Sequence, residues 1–191
     1  MRLFDKLPDS VVFNGKKIRL NLDFRNVLRM MNVLSDDGLM PDAREYLALK
    51  CICKHPKTGM MKDVRKLLFG DDPVEWHERI TDFDQDAEMI LAAFRQVYGI
   101  NLLKDRLHWF EFSALISNLP TTGNKYSDVV SIRARPMPVA NQYNTEERQW
   151  LAKAKLHYML KLSEKEQEEA FRHSLSGLAS GFSSMAGGEK H

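Results

Sequence analysis

Cys51, Cys53 and His55 stand in a C-x-C-x-H spacing, and thiolates with imidazole are the ligand types of a zinc site. The spacing argues against one. The segment reads as the end of a helix, where residues two apart project to different sides. The chain has no second cysteine pair to complete a tetrahedral set. Both cysteines therefore read as small buried hydrophobes. Asp82, Asp84 and Asp86 match the first three ligand positions of a calcium loop. The turn glycine required next is Ala87, and the closing glutamate position is Ala93. The three carboxylates are better explained as the acidic start of a helix, where the helix dipole favours them. The histidines are His55, His77, His108, His157, His173 and His191, and none falls in a nucleophile or metal motif. His108, beside Trp109, reads as a packed or hydrogen-bonded imidazole. No catalytic, cofactor-binding or metal-binding set emerges, so the expectation is a non-enzymatic protein without cofactors.

Charge adds two blocks of opposite sign. Lys50 to Lys66 holds six basic residues against Asp63, a local +5, while Asp71 to Glu88 holds eight acidic residues against Arg79, a local −7. Two solvated faces are the simpler reading, and guidance of self-association is the alternative. The basic block lacks interleaved aromatics, and no nucleic-acid-binding module is apparent, which argues against nucleic acid as partner. The net charge of +2 gives no global pull toward polyanions or membranes. No apolar run approaches the ~20 residues of a spanning helix. The N-terminal MRLFDKLPDS has no apolar core of signal-peptide length, so a cytoplasmic location is expected. Arg133-Ala-Arg135-Pro-Met-Pro138 reads as a stiff linker, with a polyproline recognition peptide as the alternative.

The elements that must position these residues are mostly helical. Val11–Phe13 and Ile18–Leu22 alternate in polarity around Asn14-Gly15, which predicts a tight hairpin. Asp23 is placed to cap a helix with Phe24, Val27, Leu28, Met31 and Leu34 on one face. Pro41 suits the first turn of the next helix. A short helix follows with Met61, Val64 and Leu68 inward. Phe83, Ala87, Ile90, Phe94 and Val97 form a helical stripe closed by Gly99. A helix over about Lys104–Asn118 is apolar on two faces, which predicts a central position. A short helix is expected over Tyr126–Arg135.

The fold expected is mainly α: a multi-helix globular domain with a small N-terminal β-hairpin and a long C-terminal helix. Residues 1–135 form the helical core domain, 136–144 a proline-containing linker, 145–175 the C-terminal helix and 176–191 a flexible tail. The last helix carries Trp150, Leu151, Ala154, Tyr158 and Leu162. Phe171, Leu175, Leu178 and Phe182 recur beyond it at helical spacing, among glycines that weaken an autonomous helix. Apolar side chains beyond a proline linker suit docking on a partner, so Trp150, Tyr158, Phe171, Leu175, Leu178 and Phe182 are the candidate partner-binding residues; docking back onto its own domain is the alternative for Trp150–Leu162, and disorder in the free protein for Phe171–Phe182.

The strings DFRNVLRMM, AAFRQVYGI, LHWFEF and SIRARPMP, with their element order, span roughly residues 1–160. In these the chain resembles the bacteriophage gene-product-fifteen family of siphophage and Gram-positive prophage tail modules. The resemblance implies a tail assembly chaperone that binds the tape measure protein in the host cytoplasm and keeps it soluble until the tail tube polymerises. It implies absence from the mature virion, with self-association and contact with the tail tube protein as further partners. Two alternatives come from other classes. One is a structural virion protein of the tail or head–tail junction, and the other is a small nucleic-acid-binding regulator.

Overall fold

The structure, a computed structural model, describes residues 6–70, 79–162, 166–168 and 172. The chain forms two compact units. One takes in Met1–Glu75 and Asp86–Asp128, the other Trp76–Gln85 and Val129–His191.

In the first unit, β1 (Ser10–Phe13) and β2 (Lys16–Arg19) pair antiparallel, with Val11 opposite Ile18 and Phe13 opposite Lys16. Asn14 and Gly15 both take positive φ, 49° and 72°, so the two-residue turn matches the right-handed twist of the strands. Helix α1 (Phe24–Leu34) is capped by the Asp23 carboxylate, which accepts the Arg25 N–H at 3.1 Å. Its buried seam is Phe24, Val27 and Met30. The expected seam ran through Met31, which is half-buried. Helix α2 (Pro41–Ile52) begins on its proline and buries Ala48, Leu49 and Ile52. Helix α3 (Met61–Phe69) turns Met61, Val64 and Leu68 inward and packs on β1.

Helix α4 (Ala87–Tyr98) buries Ile90, Ala93 and Phe94 and ends on Gly99, whose left-handed φ of 70° lets its N–H reach the Arg95 carbonyl. The expected stripe began at Phe83, but Phe83–Asp86 is a turn. Asp82 caps that turn, accepting the N–H groups of Asp84 at 2.8 Å and Gln85 at 2.7 Å.

Helix α5 (Trp109–Ser117) also starts later than expected. The Asn101 carbonyl accepts the N–H groups of Lys104 and Asp105, and the Asp105 carboxylate accepts the Asn101 N–H, so this segment closes as a polar turn. The chain then runs extended against α1's entry. Phe24 N–H donates to the Leu107 carbonyl and Trp109 N–H to the Leu22 carbonyl. His108 is the N-cap: its Nδ1 accepts the Phe110 N–H, and the Glu111 carboxylate accepts the His108 N–H at 2.9 Å. The core is aromatic at its centre. Phe112 stacks on Phe24 at 4.6 Å and on Phe94 at 5.4 Å between ring centroids.

Helix α6 (Lys125–Ala134) contributes its first turn to the first unit and the rest to the second. The second unit continues through an irregular segment to α7 (Thr145–Tyr158). The expected helix over 145–175 stops here, because Met159 turns extended (φ −58°, ψ 134°) and Met159–Leu162 is not helical. Those residues find other partners. The Gln85 amide pairs with the main chain of Lys161 in both directions, donating at 2.9 Å and accepting at 2.8 Å. The tail expected over 176–191 lies outside the described residues. The chain is thus mainly α-helical with a small N-terminal hairpin, and among the described residues no helix is long and apolar enough to cross a membrane.

Candidate functional site

The second unit carries exposed apolar side chains on a frame built from polar ties. Arg133, near the end of α6, donates from Nε to the Tyr158 carbonyl at 2.6 Å and from Nη1 to the Ile80 carbonyl at 3.1 Å. Lys155 returns the tie, donating from Nζ to the Arg133 carbonyl at 2.6 Å. Cations here satisfy carbonyls that helix ends leave without partners. Arg79 adds a donor to the Lys161 carbonyl and ion pairs with Asp82 and Glu166.

The segment joining α6 to α7 is ordered by its own side chains. Asn141 accepts the Tyr143 N–H, Asn144 accepts the Asn141 N–H, and the Asn144 amide donates to the Val139 carbonyl at 2.8 Å. Arg148 donates to the Pro138 carbonyl, and Arg135 pairs with Glu147. Both arginines of the Arg133–Pro138 string are engaged within the unit.

What this frame leaves outside is apolar. Val139 and Tyr143 are each 87% exposed, Leu156 71%, Met159 67% and Trp150 55%. Leu151 is the buried residue of α7, with Val129 and Leu160 buried in the same unit. The helix therefore has a narrow inward seam and carries large apolar groups on solvent-facing sides.

Of the residues expected to bind a partner, Trp150 projects to solvent. Tyr158 is half-buried, edge-on to His157 at 4.6 Å between ring centroids. Eight residues apart, the two sit roughly 80° apart around α7, so they do not form one contiguous spot by themselves. Phe171, Leu175, Leu178 and Phe182 lie outside the described residues. The sequence reading missed Val139, Tyr143, Leu156 and Met159. A usable signal was present, since Val139 and Tyr143 fall in a segment with no strand or helix pattern to bury them.

Cys51 and Asp82 make local contacts. The Cys51 thiol donates to the Leu47 carbonyl at 3.6 Å, and Cys53 is buried. Asp82 is occupied by the turn it caps and by Arg79. Among the described residues no group of three or more histidine, cysteine or carboxylate side chains converges as metal ligands would.

No curated protein and no solved structure matches the chain. The family model described as "Bacteriophage Gp15 protein" does, over residues 3–72 and 61–160. These segments together take in both units and more than half of the 191 residues, from the hairpin through α7. The chain therefore belongs to the bacteriophage Gp15 protein family.

Proposed function

We propose that this phage protein is a tail assembly chaperone that binds the tape measure protein and keeps it soluble during tail morphogenesis. The observation that carries this reading is the exposed apolar set on the second unit: Trp150 and Leu156 on α7, with Val139 and Tyr143 on the segment before it. Apolar surface held outward on a polar frame is the kind of feature that serves an interaction. A tape measure protein is a long helical chain, and its apolar stripes would aggregate without cover. Cover that tail tube subunits later displace must bind with modest strength at each contact. A few apolar anchors among charged neighbours such as Glu147, Lys153 and Lys155 suit that requirement. In this role the protein acts in the host cytoplasm, catalyses no reaction and is absent from the finished virion.

The test is co-expression with the tape measure protein of the same tail module. Co-purification, with the tape measure protein soluble only when this chain is present, is the expected result. Insolubility of the partner together with stoichiometric recovery of this chain in purified particles would replace the chaperone with a structural virion protein.

A further inference from the structure

The first unit carries an open strand edge. Leu20 N–H donates to the Asp9 carbonyl at 2.7 Å, so with Val11 opposite Ile18 the main-chain groups of Ile18 and Leu20 turn toward β1. Those of Lys17, Arg19 and Asn21 then turn away from it. Asn21 N–H finds the Ile52 carbonyl at 2.7 Å. Among the described residues, the outward N–H and C=O groups of Lys17 and Arg19 have no main-chain partner.

A groove of about 820 Å³ lies against this edge, between β2 and the segment after α2. Its floor is apolar, with Phe13, Ile18, Ile52 and Cys53. Its lining includes five lysine and arginine side chains and no carboxylate. Arg19 does meet Asp9, at 3.6 Å outside the groove, but both side chains are solvent-exposed and such a pair holds its members weakly.

We propose that the outer edge of β2 is a docking site for an extended, acidic segment of a partner protein, added as a third strand. Unpaired donors and acceptors at strand spacing select an extended main chain. Alternation then sends every second side chain of the added strand toward the apolar floor and the others outward beside Lys17 and Arg19. The cations select carboxylates at those outward positions. The matching ligand therefore alternates apolar and acidic residues over four to six positions. Nucleic acid fits less well, because phosphates make no use of a strand edge. The groove also presents a single, half-buried phenyl ring on which a base could stack. The inference does not rest on the chaperone reading and belongs to the other unit.

The experiment titrates the isotope-labelled full chain with a synthetic peptide of alternating glutamate and valine. Two control peptides accompany it: one N-methylated along a single edge, and one with lysine replacing glutamate. The expected result is saturable binding that shifts and protects the Lys17 and Arg19 amides. N-methylation should weaken binding about tenfold, the loss of two main-chain hydrogen bonds, and the lysine peptide should not bind. The double variant Lys17→Glu/Arg19→Glu should lose binding while keeping its helical circular dichroism. Equal binding of the N-methylated peptide, no binding of the first peptide, or its displacement by a single-stranded oligonucleotide that binds more tightly would each overturn the proposal.

Discussion

The first unit buries a stack of three phenyl rings, Phe24, Phe112 and Phe94, whereas the second is tied by arginine and lysine side chains that donate to carbonyls. The same unit buries Met30, Val27, Leu49, Ile52, Met60 and Val64, each essentially without solvent contact. Among its described residues, the second unit has Leu151 and Val129 as its fully buried large side chains and leaves Val139, Tyr143, Trp150, Leu156 and Met159 in solvent. The first unit also exposes large apolar groups, such as Met40 and Leu103, but it does so around a deep aromatic core. A helix held by Arg133 and Lys155 keeps its place without spending its tryptophan.

That contrast can be broken at its strongest point. Phe112→Ala removes the ring shared by both stacks and should cost about 3–5 kcal/mol, read as a lowered midpoint in denaturant unfolding of the full chain. If the cost is under ~1 kcal/mol, the stack is not the centre of the first unit.

Arg133→Ala probes the polar frame. Each charge-assisted hydrogen bond is worth about 1.5–3 kcal/mol, so amides of α7 should exchange with solvent at least tenfold faster. Amides of α1 should keep their protection. Equal loss in both regions would show that the two units do not differ as described.

Trp150→Ala separates binding from stability. An exposed side chain contributes within about 0.5 kcal/mol to folding, so the unfolding midpoint should hardly move. Solubilisation of the tape measure protein should fall. Unchanged solubilisation by a Trp150→Ala/Leu156→Ala pair would remove α7 from the binding surface.

The smallest effect lies in the hairpin, where the first unit too carries a polar tie. The Ser10 hydroxyl donates to Asp9, and with Arg19 nearby it holds the Asp9 carboxyl below its ordinary value of 3.8. A carboxyl lowered in the folded state stabilises above the unfolded pKa, and that stabilisation is lost as pH falls through the folded value. Nuclear magnetic resonance titration should find Asp9 titrating low, and Ser10→Ala should move it upward. No upward shift would assign the effect to the nearby cations Arg19, Lys6 and Lys17.

Much of the fold is legible because it is local. Asn14-Gly15 predicts a turn that only residues tolerant of positive φ make easily, and both residues adopt it. Asp23 as a cap, Pro41 at a first turn and Gly99 at a helix end each depend on a few neighbouring main-chain groups. The apolar periodicity of α3 placed its inward residues correctly, since a 3.6-residue period is independent of what the helix packs against. Family membership was legible for a similar reason, being carried by short strings.

The limits of α5 and α7 were decided by contacts distant in sequence. Residues 104–108 have helical periodicity, yet the Leu107 carbonyl and the Trp109 N–H bond to Phe24 and Leu22, and His108 between them stays extended and caps the helix. Past Tyr158, the side chains of Gln85 and Arg79 satisfy Lys161, so the chain leaves the helix where local pattern would have continued it. Trp150 as an apolar residue of α7 was legible, but its exposure was not, because an amphipathic pattern says which residues are apolar and not which face finds cover. The open edge of β2 and its cationic groove also belong to the tertiary structure. Strand polarity names Lys17 and Arg19 as outward, and only the placement of Ile52 and the segment after it makes a groove beside them.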